Sequence, residues 1–254
     1  MRMPFELFVA LRYLFSRRKQ TFIYIISIMS ILGVALGVGA LVVVLGVYNG
    51  LTTDMRDKII GANAHGIVMS YVPAAFQQHP DLVRRVEAVE HVRGATPFIY
   101  TEVMLSAAGG VKGLVLRGID PESAPKVLSM LREIRRGSVT DLKREGTPGI
   151  VIGEELAKRL GIGLGSRVNL LSPSGEKGAT GYSPRIRPFE VVGIFKTGMF
   201  EYDATLAFVD LKAARDILGL PDGFLTGIEI MVDDVYKADA IAQSVQDTLG
   251  SPFY

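Results

Sequence analysis

The chain has 254 residues, 48% of them hydrophobic, and its 28 Lys and Arg nearly balance 26 Asp and Glu for a formal charge of +2. That balance gives no basic footprint for a nucleic-acid partner. The absence of cysteine excludes a disulfide scaffold and thiol chemistry.

The first predicted element is a short helix over Pro4–Phe15 (PFELFVALRYLF), whose charges are Glu6 and Arg12. It reads either as a helix lying on the inner leaflet or as an extension of the segment that follows. From Lys19 to Asp54 no residue between the two is charged, and Thr21–Tyr48 exceeds the roughly twenty apolar residues that cross a bilayer core. Arg2, Arg12, Arg17, Arg18 and Lys19 precede this run, opposed by Glu6 alone, whereas Asp54, Arg56, Asp57 and Lys58 nearly cancel after it. Positive flanks stay cytoplasmic, so residues 1–20 are expected inside, 21–48 in the membrane and 49–254 on the far side. The rival, a cleaved signal peptide, has an apolar stretch of only about 7–15 residues, and Leu41–Val47 continues past the small-residue site Gly37–Ala40. Ser30, Gly33, Gly37 and Ala40 share one helical face, which would let another helix approach closely. Glycine is common in membrane helices, so the face alone does not decide this.

Beyond the span, Leu51–Ile60 continues the helix. Asp81–Val92 reads as a helix capped by Asp81, with Leu82, Val86 and Val89 on its apolar face. Strands are predicted at Phe98–Ala107, Lys112–Ile119, Ile150–Ile152, Arg167–Leu171, Phe189–Phe195, Ala204–Val209 and Ile228–Val232. Helices are predicted at Glu154–Leu160, at Leu211–Leu218 after the cap Asp210, and at a final segment capped by Asp234 with Ala238, Ile241, Ala242, Val245 and Leu249 on one face. Gly161, Gly219 and Gly250 close these three. The fold class is α+β.

Between two of these strands, Ser172–Pro188 (SPSGEKGATGYSPRIRP) holds three prolines and three glycines, far longer than the two to five residues of a usual hairpin loop. Such a segment is either disordered or a binding element. Tyr182 and Ile186 are its apolar groups, Pro173, Pro184 and Pro188 stiffen it, and Arg185 and Arg187 suit an acidic partner. A second patch, Gly198–Asp203, reads as a loop whose Met199, Phe200 and Tyr202 either complete the core or form a surface for a partner.

Catalytic signals are absent from the sequence. It has no Gly-Lys-Ser/Thr, His-Glu-x-x-His or Gly-x-Ser-x-Gly. His65, His79 and His91 are scattered, without carboxylates at metal-ligand spacing. Gly161–Gly165 follows a helix and precedes a strand, the reverse of a nucleotide fingerprint, and so reads as a turn. Glu154-Glu155 complements a helix dipole. No catalytic residue, metal or cofactor is expected.

Four long segments carry a family resemblance: PFELFVALRYLFSRRKQTFIYIISIMSILGVALGV, GIVIGEELAKRLGIGLGSRVNL, FEVVGIFKTGMFEYDATLAFVDLKAA and TGIEIMVDDVYKADAIA. Together they resemble the lipoprotein-releasing system transmembrane proteins of the LolC/LolE family, within the MacB- and FtsX-like ABC transporter permeases. The resemblance implies a bacterial inner-membrane permease subunit that is not itself an enzyme. Its implied partners are a separate LolD-like cytoplasmic ATPase, a second permease subunit, acylated lipoproteins and a LolA-like periplasmic chaperone. It also implies three further spans beyond Tyr254, so that this chain looks truncated. The periplasmic domain should have two lobes, residues 49–103 plus 226–254 and residues 104–225. In the LolC type a protruding hairpin, the hook, recruits the chaperone. Ser172–Pro188 sits at its place, making Pro173, Tyr182, Pro184, Arg185, Ile186 and Arg187 the candidate contacts. The alternatives are an efflux or envelope-signalling permease of the MacB/FtsX type and a stand-alone membrane-anchored binding module.

Overall fold

The computed structural model describes residues 5–14, 21–72, 76, 79–132, 134–178 and 181–254. Two compact units divide between Asp57 and Lys58. The first holds α1 (Phe5–Leu14) and most of α2 (Thr21–Ala62), whose last residues belong to the second. Nothing in α2 interrupts its backbone ladder, since it contains no proline and its glycines are singly spaced among strong apolar residues. By length and composition α2 can cross a membrane. Its apolar side chains, Phe22, Leu36 and Val47 among them, are exposed along their length.

The second unit is built on a mixed sheet. Its strands are β1 (Gly66–Val68), β2 (Val92–Ala107), β3 (Gly110–Ile119), β4 (Ile134–Gly137), β5 (Gly149–Gly153), β6 (Arg167–Gly178), β7 (Gly181–Phe195), β8 (Leu206–Asp210) and β9 (Gly227–Val232). Six of them form a closed ring in the order β2-β3-β8-β5-β7-β6, because β6 pairs with both β7 and β2. Closure removes the open sheet edges that would otherwise invite foreign pairing. The first half of β2 leaves the ring to pair with β9, which carries β1 at its outer edge.

Strand alternation sorts the side chains into two cores. Ile150, Ile152, Val191, Ala207 and Val209 enter one cluster together with Leu156 and Leu160 of α5 (Glu154–Leu160) and Ala214 and Ile217 of α7 (Leu211–Leu218). Their sequence neighbours Val151, Val192, Leu206 and Phe208 enter the other, against Val127 of the short α4 (Ala124–Val127) and Leu131 and Leu142. Every residue of β5 is buried because both its faces are covered. The β9 end of the sheet is covered by α3 (His79–Glu87), through Leu82 and Val86, and by α8 (Ala238–Leu249), through Ile241, Val245 and Leu249.

The predicted caps hold in part. The Asp210 carboxylate accepts from Lys212 N–H at 2.9 Å and starts α7. Asp234 instead caps a single 3₁₀ turn, Val235–Lys237, that leads into α8. Asp81 lies inside the first turn of α3, which begins two residues earlier and stops at Glu87, because Val92 is already the first residue of β2 paired to Val232.

Candidate functional site

Residues 172–178 and 181–188 are strand rather than loop. β6 and β7 run on past the ring as an antiparallel hairpin, with Leu171 opposite Ile186, Ser172 opposite Arg185, then a register shift, then Glu176 opposite Ser183 and Lys177 opposite Tyr182. Pro173 and Pro184 fall where the register shifts, a position at which a strand tolerates a missing N–H. Pairing with β2 ends at Leu171, so beyond Ser172 the two strands are held by each other.

Alternation divides the candidate residues between two faces. Pro173, Pro184 and Ile186 lie on the face of Leu171. There a row in register crosses four strands, Gly113–Met104–Leu171–Ile186. Met104 is 50% and Ile186 56% exposed. A groove of ≈ 580 Å³ beside the row is lined by Met104, Val115, Leu171, Pro173 and Pro184, with Glu102 its one ionisable group. Arg185 and Arg187 lie on the opposite face with the buried Leu170 and Ser172. The Arg185 guanidinium lies against the end of α7, donating to Asp216 O at 3.5 Å. Arg187 is exposed and lines a second cavity of ≈ 860 Å³, whose charged lining includes Lys143, Arg144, Asp210, Lys212 and Asp216. Tyr182 is placed in β7 by its backbone pairing. The sequence grouped these six residues; the structure separates an apolar face from a basic one.

The segment 198–203 is likewise not a loop, since Phe200–Thr205 forms α6. Its three candidate residues separate. Phe200 is 57% exposed, with the Arg159 guanidinium 5.3 Å from its ring centre. Met199 and Tyr202 pack on the second core, and the Tyr202 hydroxyl accepts from Asn63 Nδ2 at 2.9 Å. Asp203 is buried and gathers the turn by accepting from Thr197 N (2.8 Å), Thr197 Oγ1 (2.9 Å) and Gly198 N (3.2 Å). On α2, Ser30, Gly33, Gly37 and Ala40 are all exposed, and a Cβ at either glycine would have open space.

One buried ionic feature was not anticipated. Arg117 of β3 and Glu229 of β9 form an ion pair across β2, with Arg117 between the rings of Phe98 and Phe208 at 6.0 and 5.9 Å. Burial pushes the Glu229 carboxyl above its ordinary value, and the adjacent Arg117 offsets that only in part. The available signal was a lone charge inside each of two apolar strands, LVLRGI and GIEIMV. Among the described residues no cluster of three metal-ligating side chains occurs. His91 Nδ1 lies 2.9 Å from Asp233 and holds that carboxyl below its usual range, while His65 Nδ1 lies 3.2 Å from Val232 O.

A helix long and apolar enough to span a membrane is followed by an α+β domain whose β6 and β7 extend from the sheet as a hairpin. Residues 27–248 match the sequence profile of the MacB-like periplasmic core domain, and the chain belongs to that family. Its relatives include the lipoprotein-releasing system transmembrane protein LolC of Neisseria meningitidis, 32% identical over 94% of this chain and 57% of that protein. LolE of Haemophilus influenzae is 25% identical over 94% and 57%. The chain thus spans somewhat over half the length of these relatives. Among solved structures, it is similar to the extracellular domain of the ABC-type transporter YknZ from Gram-positive bacteria (TM-score 0.48, 13% identity, 74% of this chain and 96% of that one). It is also similar to the periplasmic region of MacB from Actinobacillus actinomycetemcomitans (TM-score 0.46, 11% identity, 74% and 86%).

Proposed function

We propose that this chain acts as a non-enzymatic permease subunit of an inner-membrane ABC transporter that releases acylated lipoproteins, with ATP hydrolysis on a separate subunit. In this reading its N-terminus is cytoplasmic and its main domain periplasmic. The observation that carries the reading is the β6–β7 hairpin, continuous with a closed ring, in a chain related to LolC over nearly its whole length. The hairpin recruits the periplasmic chaperone. Its apolar face, Pro173, Pro184 and Ile186 continued by Leu171 and Met104, supplies the main contact area; Tyr182 of the hairpin adds to the contact, and Arg187 is a secondary polar contact on the opposite face. An exposed apolar strip of this kind is costly in water unless a partner covers it. Ser30, Gly33, Gly37 and Ala40 form the seam for a neighbouring span, and the apolar length Ile28–Leu45 borders the route by which acyl chains leave the bilayer. Phe200 offers a smaller partner contact above α6. In this reading the periplasmic domain has two lobes, residues 49–103 plus 226–254 and residues 104–225.

The test is co-purification of a LolA-like chaperone with the chain, before and after residues 174–183 are replaced by a two-residue Asn-Gly turn. Capture is expected to disappear while the domain keeps its melting temperature. Unchanged capture would remove the hairpin from the mechanism. The broader family match supports a second reading, an efflux or envelope-signalling permease of the MacB/FtsX type. No chaperone capture by the unmodified chain favours that one.

A further inference from the structure

The root of the hairpin touches α7, and the contact has a definite chemistry. α7 ends at Leu218, and Gly219 follows at φ 68°, the left-handed conformation that closes many helices. The N–H groups of Gly219 and Leu220 both turn back to Arg215 O, which leaves Asp216 O among the last carbonyls without a partner inside the helix. The Arg185 guanidinium reaches it from β7, and a cation there also meets the negative end of the helix dipole. The same guanidinium lies flat over Gly219. A Cβ at that position would stand 2.5 Å from Arg185 Cζ and Nη1. On the strand, Arg185 is paired with the fully buried Ser172, the last pair before the register shift.

We propose that Arg185 is a positioning residue: its guanidinium, seated on the bare backbone of Gly219, clamps the hairpin root to the end of α7 and sets the direction in which the hairpin leaves the ring. The sequence offered Arg185 as a polar contact for a partner. The geometry gives it an internal task, and Gly219 is glycine for two reasons at once, its backbone conformation and the room it leaves for a side chain from another element. The clamp stands whatever the hairpin binds.

Amide hydrogen exchange on the full purified chain tests it without any partner. Arg185→Ala is expected to speed exchange in the peptide 181–188 about threefold, the scale of one weak hydrogen bond. Arg185→Lys restores part of the protection. Gly219→Asn keeps the arginine and its charge and uses the residue that best tolerates left-handed backbone, yet it evicts the guanidinium, so it should give the same local acceleration. Gly161→Asn is the control, because Gly161 closes α5 at φ 62° with open space around it; it should leave the hairpin unchanged. Exchange in β5 and β9 stays at the unmodified level in all four variants. The clamp is refuted if 181–188 stays protected in both Arg185→Ala and Gly219→Asn, or if acceleration spreads equally to β5 and β9, which would mark a general loss of stability.

Discussion

β6 and β7 change character at Ser172 and Arg185. Inside the ring, their alternate residues are buried: Val168, Leu170, Phe189 and Val191 are at most 2% exposed, and β7 also pairs with β5 and β4. Outside it, the same two strands pair with each other alone. An isolated two-stranded ribbon is marginal in water, so the outer part borrows its order from the ring that nucleates its register. A substitution should therefore act on stability where it falls on a buried position of the ring, and on partner binding where it falls on an exposed position of the hairpin or its root.

The largest effect belongs to the ring. Phe189→Ala removes a ring that is 1% exposed in the main core and is expected to destabilise the domain by about 4 kcal/mol. Urea unfolding measures this, and a loss under about 1 kcal/mol would mean that the ring closes around a loosely filled interior. Next is the buried pair. Arg117→Leu strands the Glu229 carboxylate without its cation and should cost about 3 kcal/mol at pH 7.

Glu229→Gln probes the same pair through pH. The folded-state value of Glu229 lies above the ordinary 4.5 because burial outweighs the pull of Arg117. Its contribution to stability is thus complete below pH 4.5 and is lost as pH rises through the raised value. The glutamine variant should gain on the unmodified chain between pH 4.5 and 7 in thermal melts. A gap that does not move with pH contradicts the burial argument.

Much of the ring was legible in the residue pattern itself, whereas the hairpin was expected only from the family resemblance. β5 announces itself as GIVIG, and α5 and α7 carry apolar faces between a cap or acidic start and a closing glycine. Those signals are local. The outer hairpin has no covered face to impress a period of two on its residues, and its prolines and glycines imitate a loop, so its own residue pattern does not show it. α6 is six residues long and follows Gly198, too short for a helical period to show. β1 and β4 are short edge strands whose partners lie far along the chain. The Arg117–Glu229 pair joins residues 112 positions apart, each of them an anomaly until the other is known. The candidate residues of the hairpin were found as a cluster, but their division into two faces needed the register.

The exposed face at the root of the hairpin supplies the smallest stability effect. Ile186→Ser falls on an exposed position, so it should change stability by no more than about 0.5 kcal/mol. Its neighbour Arg187 is one residue away and on the other face, where it borders the second cavity, beside α7. If the apolar row carries partner contact, Ile186→Ser weakens chaperone capture by about tenfold, and Arg187→Ser, a change of similar surface exposure, weakens it less. Titration of the two variants side by side decides between the faces. A greater loss at Arg187 would move the contact to the basic face and leave Met104, Leu171 and Ile186 as an apolar strip with a different occupant.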